Sequence, residues 1–152
     1  MPSKKIKKFL DDQSVKYVTI SHSLTYTAQE IAESAHIHGK ELAKTIIVLI
    51  DGKMAMAVLP AMYTIDFEYF RKETGAKTVQ LASEEQFKNA FPDCEVGAMP
   101  PFGNLYGMNV YVDDHLIKDK EIAFNAGTHF ELIRMSYEDF AKLVNPIVIK
   151  LT

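Results

Sequence analysis

A chain of 152 residues has the length of one ordinary domain, and residues 1–152 are expected to form a single one. With 47% hydrophobic and 24% charged residues it is neither disordered nor collagen-like, and a core of that size needs no disulfide or metal staple. A net charge of −3 and a pI of about 5.9 argue against a domain that grips nucleic acid by bulk electrostatics, so DNA is not an expected partner.

The longest apolar run, residues 45–50, falls far short of the ~20 residues of a bilayer-spanning helix, and no membrane is expected. The basic start Met-Pro-Ser-Lys-Lys-Ile-Lys-Lys is not followed by the apolar stretch of ~7–15 residues of a secretory signal, which leaves the cytoplasm as the expected compartment. Cys94 stands alone, so no internal disulfide forms, and no Cys/His spacing suggests a zinc site. A nucleophilic role for Cys94 would need an electropositive setting that sequence does not display. No metal and no cofactor is expected.

In chain order, Ser3 is a suitable cap, and Ile6, Phe9 and Leu10 at i, i+3, i+4 spacing predict a helix over 4–13. Its other face is basic: Lys4, Lys5, Lys7, Lys8 and Lys16 stand against only Asp11 and Asp12 in the first twenty residues. The plainest reading of these lysines is the wet face of an amphipathic helix. Residues 17–22, rich in β-branched side chains, predict a strand. Thr27-Ala-Gln-Glu30 has capping-box spacing and precedes Ile31, Ala32 and Ala35, so a second helix is expected over 28–36.

The clearest local signal is a run of apolar residues to Ile50, then Asp51-Gly52, then a second apolar run to Leu59. Asp-Gly favours the two positive φ angles of a type I′ turn, which predicts an antiparallel hairpin ended by Pro60. Strands this apolar belong at the centre of a sheet covered on both faces. Asp66 caps a predicted helix carrying Phe67, Phe70 and Arg71, with Gly75 as its C-terminal signal. Residues 77–82 predict a strand, and Ser83-Glu-Glu-Gln-Phe opens another helix with acids at the favourable dipole end. Residues 91–107 hold Pro92, Gly97, Pro100, Pro101, Gly103 and Gly107, a structured loop expected to be anchored by Val96, Met99, Phe102 and Leu105. Runs at 109–113, 121–125 and 130–135 predict three strands of an antiparallel meander. Ser136 caps a last helix, Pro146 stops it, and residues 147–151 suit an edge strand.

Three segments carry candidate chemistry. Lys44 has the same parity as Ile46, Val48 and Ile50 and would share their face of the strand. Burying an unpaired ammonium is costly, so Lys44 has a partner, a lowered pKa, or an exit at the strand end; simple snorkelling is the dull alternative. Gly97-Ala-Met-Pro-Pro101 can turn the backbone so that successive amides, those of Gly97, Ala98 and Met99, point into one cavity and stabilise an oxyanion, though such a loop is often only a turn. His129 follows Asn125-Ala-Gly127-Thr at a strand edge, where a histidine either serves a site or caps a turn.

Taken together and in order, Ala43-Lys-Thr-Ile-Ile-Val48, Leu59-Pro-Ala61, Glu95-Val-Gly-Ala-Met-Pro-Pro-Phe-Gly103, Val110-Tyr-Val-Asp113 and Phe124-Asn-Ala-Gly127 resemble the YbaK/prolyl-tRNA synthetase-associated domain family from about residue 22 to 140. The resemblance implies a mixed α/β fold, a single domain whose curved, mostly antiparallel mixed sheet or partial barrel is surrounded by helices. It also implies a pocket for the aminoacyl-adenosine end of transfer RNA and a free-standing hydrolase that clears wrongly attached amino acids, with a synthetase as a further candidate partner. A non-catalytic module that binds aminoacyl-tRNA or a synthetase is the contrasting class. The family's lysine maps onto Lys44 and its Gly-x-x-x-Pro loop onto Gly97 and Pro101. His129 takes the place of a histidine that shapes the pocket after a glycine turn at Gly127, and His22 and Thr25 lie where the family often has a His and a Thr. With an RNA substrate implied, the Lys4 to Lys8 cluster gains an alternative reading as an acceptor-stem contact.

Overall fold

The computed structural model describes residues 4–21, 42–118 and 120–152. The helix predicted over 28–36, and with it His22 and Thr25, lies outside the described residues. Among the described residues the elements are α1 (Lys4–Asp12), β1 (Tyr17–Ser21), β2 (Ala43–Ile50), β3 (Lys53–Pro60), α2 (Phe67–Thr74), β4 (Val79–Leu81), α3 (Glu84–Phe87), β5 (Asn109–Asp113), β6 (Glu121–Asn125), β7 (Glu131–Ser136), α4 (Tyr137–Val144) and β8 (Ile147–Ile149). The fold is mixed α/β with two sheets, one of order β4-β2-β3-β5-β8 and one of order β1-β7-β6. Four of the six strand pairings are antiparallel; only β3 with β5 and β5 with β8 run parallel. An isolated bridge from Leu42 to Ala123 links the sheets, which form a partial rather than a closed barrel.

The β2–β3 hairpin is the spine of the larger sheet. Asp51 and Gly52 have φ of 50° and 82°, the two left-handed residues that a type I′ turn requires. Strand alternation then sends Ala43, Ile47, Leu49, Met56 and Val58 to one face, and Val48, Ala55, Ala57 and Leu59 to the other. The first set meets the smaller sheet, α1 and α4 through Ile122, Ile133, Met135, Ile6, Leu10, Phe102 and Phe140. The second is roofed by Phe70 of α2 and by Leu151. Both faces of the hairpin are therefore covered, which is why its strands lack alternating polar residues.

Local caps follow the sequence closely. Asp66 accepts the amide of Tyr69 at 3.0 Å, and Gly75 closes α2 at φ 71°. Ser83 and Gln86 form a reciprocal capping box on α3, and Ser136 accepts the amide of Asp139 on α4. Each such cap is worth about 1 kcal/mol.

Three expectations change. The meander over 109–135 does not form, because β5 leaves the direction of β6 and β7 and pairs in parallel with β3 and β8. The buried Asp113 side chain accepts the amide of Leu151 at 2.9 Å and Nδ1 of His115 at 2.7 Å, while Asp114 donates its amide to Ile149 at 3.0 Å. These bonds fasten the end of β5 to the last strand and turn the chain away from β6. The strand predicted over 77–82 shrinks to β4, since the amides of Lys77 and Thr78 go to the Asp51 carboxylate, each at 2.9 Å, instead of a ladder. Val96 is not an anchor of the 91–107 loop: it is 47% exposed, and Met99 and Phe102 are the buried residues there.

Candidate functional site

The loop 95–101 and the turn 126–129 form one hydrogen-bonded unit. Ala98 donates its amide to the Glu95 carbonyl at 3.1 Å, closing a four-residue turn with Gly97 third and at φ 84°. That is the position at which a type II turn demands a left-handed residue. Glu95 donates its amide to Gly127 O at 2.8 Å, and Gly127 donates back to Ala98 O at 2.9 Å. His129 then fastens the two twice: its amide donates to Glu95 Oε1 at 2.7 Å, and its Nε2 lies 2.7 Å from Val96 O. The imidazole is so close that a Cβ on Gly97 would sit 3.4 Å from His129 Cε1.

Electrostatics reinforce the clasp. The Thr128 hydroxyl and the His129 amide hold the Glu95 carboxyl below the usual carboxylate range, so the acceptor is ionised at neutral pH. Neither Glu95 nor Thr128 was singled out from sequence as a site residue. Glu95 opens the motif Glu95 to Gly103, but a carboxylate that accepts an amide 34 residues away leaves no local signature.

The amides of the loop divide into used and available donors. Ala98 spends its N–H inside the turn, and Pro100 and Pro101 have none to offer. Among the described residues, the amides of Gly97 and Met99 donate to no protein acceptor. Gly97 is exposed, while Ala98, Met99, Pro100 and Pro101 are buried, so the loop shows solvent a narrow, glycine-tipped edge.

Lys44 reaches this unit by another route. Its parity neighbours on β2 are Leu42, packed with Ala123 and Leu132, and Ile46 and Val48, packed toward α2. The half-buried Lys44 is thus the polar break between two apolar clusters on one side of β2. A recess of about 140 Å³ beside it is lined by Ile46, Thr64, Ile65, Phe67 and Leu81, and it contains no residue of the 95–101 loop. The connection runs through the backbone instead. The Leu42–Ala123 bridge sets the start of β2 parallel to β6, and β6 delivers Asn125, Ala126 and Gly127 directly into the clasp. The structure therefore brings Gly97, Ala98, Met99, Gly127 and His129 together, sets Lys44 on the strand next to the one feeding them, and does not seat all of them in one recess.

Two other groups have reactive residue types. Cys94 is half-buried with Sγ 3.4 Å from the Tyr106 hydroxyl, and burial pushes its thiol pKa up, opposite to what a nucleophile needs. Asp113, Asp114 and His115 lie within 4.8 Å of one another, but both Asp113 oxygens already accept hydrogen bonds from the chain.

The fold and the motif order define a class, and the chain belongs to the aminoacyl-tRNA editing domain family, whose model matches residues 22–143. No curated protein matches the chain. Among solved structures, a candidate trans-editing enzyme for prolyl tRNA synthetase superposes with a TM-score of 0.85 at 18% identity, covering 99% of this chain and 96% of that one. Hypothetical protein APE2540 is similar at a TM-score of 0.84 and 20% identity, covering 97% and 99%. A candidate signal transduction protein from Marinobacter aquaeolei VT8 contains the fold within a longer chain, at a TM-score of 0.74 and 17% identity, covering 96% of this chain and 30% of that one. At these identities the structural matches establish the fold alone. No described helix is long and apolar enough to cross a membrane.

Proposed function

We infer that the protein hydrolyses the ester between a wrongly attached amino acid and the terminal ribose of a transfer RNA, acting in the cytoplasm as a free-standing editing deacylase. The observation that carries this reading is the clasp: a glycine turn held by His129 and Glu95 leaves the amides of Gly97 and Met99 as donors beside it. Ester hydrolysis builds negative charge on the carbonyl oxygen, and each fixed amide aimed at that oxygen is worth roughly 10²–10³ in rate. Ala98 contributes by closing the turn rather than by donating. Pro101 and Gly127 set the path of the backbone on either side, and His129 walls the amino-acid pocket.

Lys44 acts as a fixed cation. From the start of β2 it meets either the charge developing on the ester or a phosphate of the terminal nucleotides, and an extended aminoacyl-nucleotide spans the separation between Lys44 and the loop. Among the described residues no side chain is placed to activate a nucleophile covalently, and water, oriented by the ribose hydroxyl and the loop backbone, attacks. His22 and Thr25 complete the pocket. The favoured substrate is alanine on a proline transfer RNA, because His129 closes the pocket around a small side chain; cysteine is the rival. A methylene discriminates by only ~1–3 kcal/mol, which is why a second pocket is needed to correct a synthetase.

The test is deacylation of a panel of transfer RNAs charged with alanine, cysteine, serine and other small residues. Many turnovers on one member, greatest for alanine, are expected. Protection of the ester, or stoichiometric binding without turnover, would leave a binding module in place of an enzyme.

A further inference from the structure

The charges of α1 are arranged against the helix that carries them. Lys4, Lys5, Lys7 and Lys8 crowd the N-terminal half with no acid in the first turn, while Asp11 and Asp12 fall at the end with no base in the last turn. A helix dipole favours the reverse order, so folding does not account for this one. Two of the lysines have structural partners: Lys7 pairs with Glu131, and Lys5 Nζ lies 4.3 Å above the Tyr106 ring. Lys4 and Lys8 point outward, Lys8 meeting only the exposed Asp12.

Those partners fix where the basic face lies. Glu131 accepts Lys7 on one side and on the other closes the turn that holds His129, through the bond from Ala126 N to Glu131 O at 3.0 Å. Tyr106 supports Lys5 and contacts Cys94, the residue before Glu95. Phe9 packs edge-on against Phe102 of the same loop, with centroids 5.9 Å apart. Helix α1 is therefore docked on both halves of the clasp, and its lysines border the candidate site in a chain whose net charge is −3.

We propose that the outer face of α1, through Lys4 and Lys8 with Lys5 beside them, binds the phosphate backbone of an RNA acceptor stem next to the ester. This rests on the editing reading for its choice of RNA over an acidic protein surface. An RNA whose charged end lies at Gly97 must run its backbone past a neighbouring surface, and α1 is the neighbouring surface of opposite charge.

The experiment is fluorescence-anisotropy binding of an uncharged acceptor-stem RNA hairpin to wild-type protein and to the double variant Lys4→Gln/Lys8→Gln, across a salt series. Lys5 and Lys7 are kept so that their contacts with Tyr106 and Glu131 persist. Affinity is expected to fall about tenfold at low salt, and the slope of log K against log salt to flatten by about 1.5–2, close to 0.7–0.9 for each phosphate released. The melting temperature is expected to hold or rise, since cations leave the wrong end of a dipole. Equal affinity and slope in the two proteins would overturn the proposal, as would a loss confined to synthetase binding. Because the hairpin carries no ester, the two readings fail separately. A wild type that binds the hairpin in this lysine-dependent way but hydrolyses nothing supports the RNA surface and sinks the editing reading. A wild type that edits while the double variant binds like it does the reverse.

Discussion

Glu95 and His129 hold each other across 34 residues of chain: the Glu95 carboxylate accepts the His129 amide at 2.7 Å, and the His129 ring returns to the carbonyl beside Glu95, that of Val96, at 2.7 Å. Neither residue needs to touch substrate to matter. Together they set the height and tilt of the glycine turn whose amides face the proposed ester.

Replacing Glu95 separates position from charge. In Glu95→Ala the clasp loses its acceptor, and deacylation is expected to drop tenfold or more; Glu95→Gln keeps an acceptor oxygen and is expected to lose less. The folded carboxyl titrates below its unfolded value, so its ionised form contributes stability that is present above the unfolded pKa of about 4.5 and is lost as pH falls through the lower folded value. Melting curves of wild type and Glu95→Gln should differ by a constant amount between pH 5 and 8 and converge in more acid solution.

Gly97→Ala tests the turn itself. At φ 84° an alanine carries about 1–2 kcal/mol of backbone strain, and its Cβ would press on His129 Cε1 at 3.4 Å. A melting temperature lower by roughly 3–8 °C is expected in a chain of this size. Turnover at permissive temperature should fall further than this destabilisation accounts for, because the amide of residue 97 is itself a proposed donor.

Lys44→Ala should abolish deacylation, a loss of at least roughly 10²-fold if one fixed charge on the reacting end disappears. Lys44 sits half-buried at a boundary between apolar clusters, so the variant should fold and melt close to wild type. Lys44→Arg, with its charge kept on a different fork, should recover part of the rate. Unchanged turnover in Lys44→Ala would take the lysine out of the mechanism and leave the loop to act without it.

A distant control is offered by Asp51, which supplies a left-handed turn residue at φ 50° and accepts the amides of Lys77 and Thr78 with one oxygen. Asp51→Ala is expected to destabilise by about 2–3 kcal/mol, through two lost acceptor contacts and the turn strain. Asp51→Asn, which tolerates the same φ and keeps the oxygen, should cost under about 1 kcal/mol. Both should retain the wild-type rate below their melting transitions.

Features closed over a few residues were legible in the sequence. The Asp51-Gly52 turn, the caps at Asp66, Ser83 and Ser136, and the stop at Gly75 each depend on chemistry within four positions. What escaped is long-range. Periodicity marks 109–113 as a strand but does not say that Val110 will lie beside Met56 in parallel, a choice made by Asp113 and Leu151 across 38 residues. The same holds at the site. The motif order pointed to Gly97 and His129, and they are in contact; the Glu95 carboxylate that fastens them, and the use of Ala98 N–H inside the turn, emerge only in three dimensions.

The knot around Leu151 has a consequence for synthesis. Its amide satisfies the buried Asp113, and its carbonyl accepts the amide of Asp66, the residue that caps α2. Until Leu151 has left the ribosome, a carboxylate in the middle of the larger sheet lacks its partner and the roof over the hairpin is not fastened. The translating ribosome therefore carries an incomplete sheet with an open parallel edge, the kind of surface on which chaperones act.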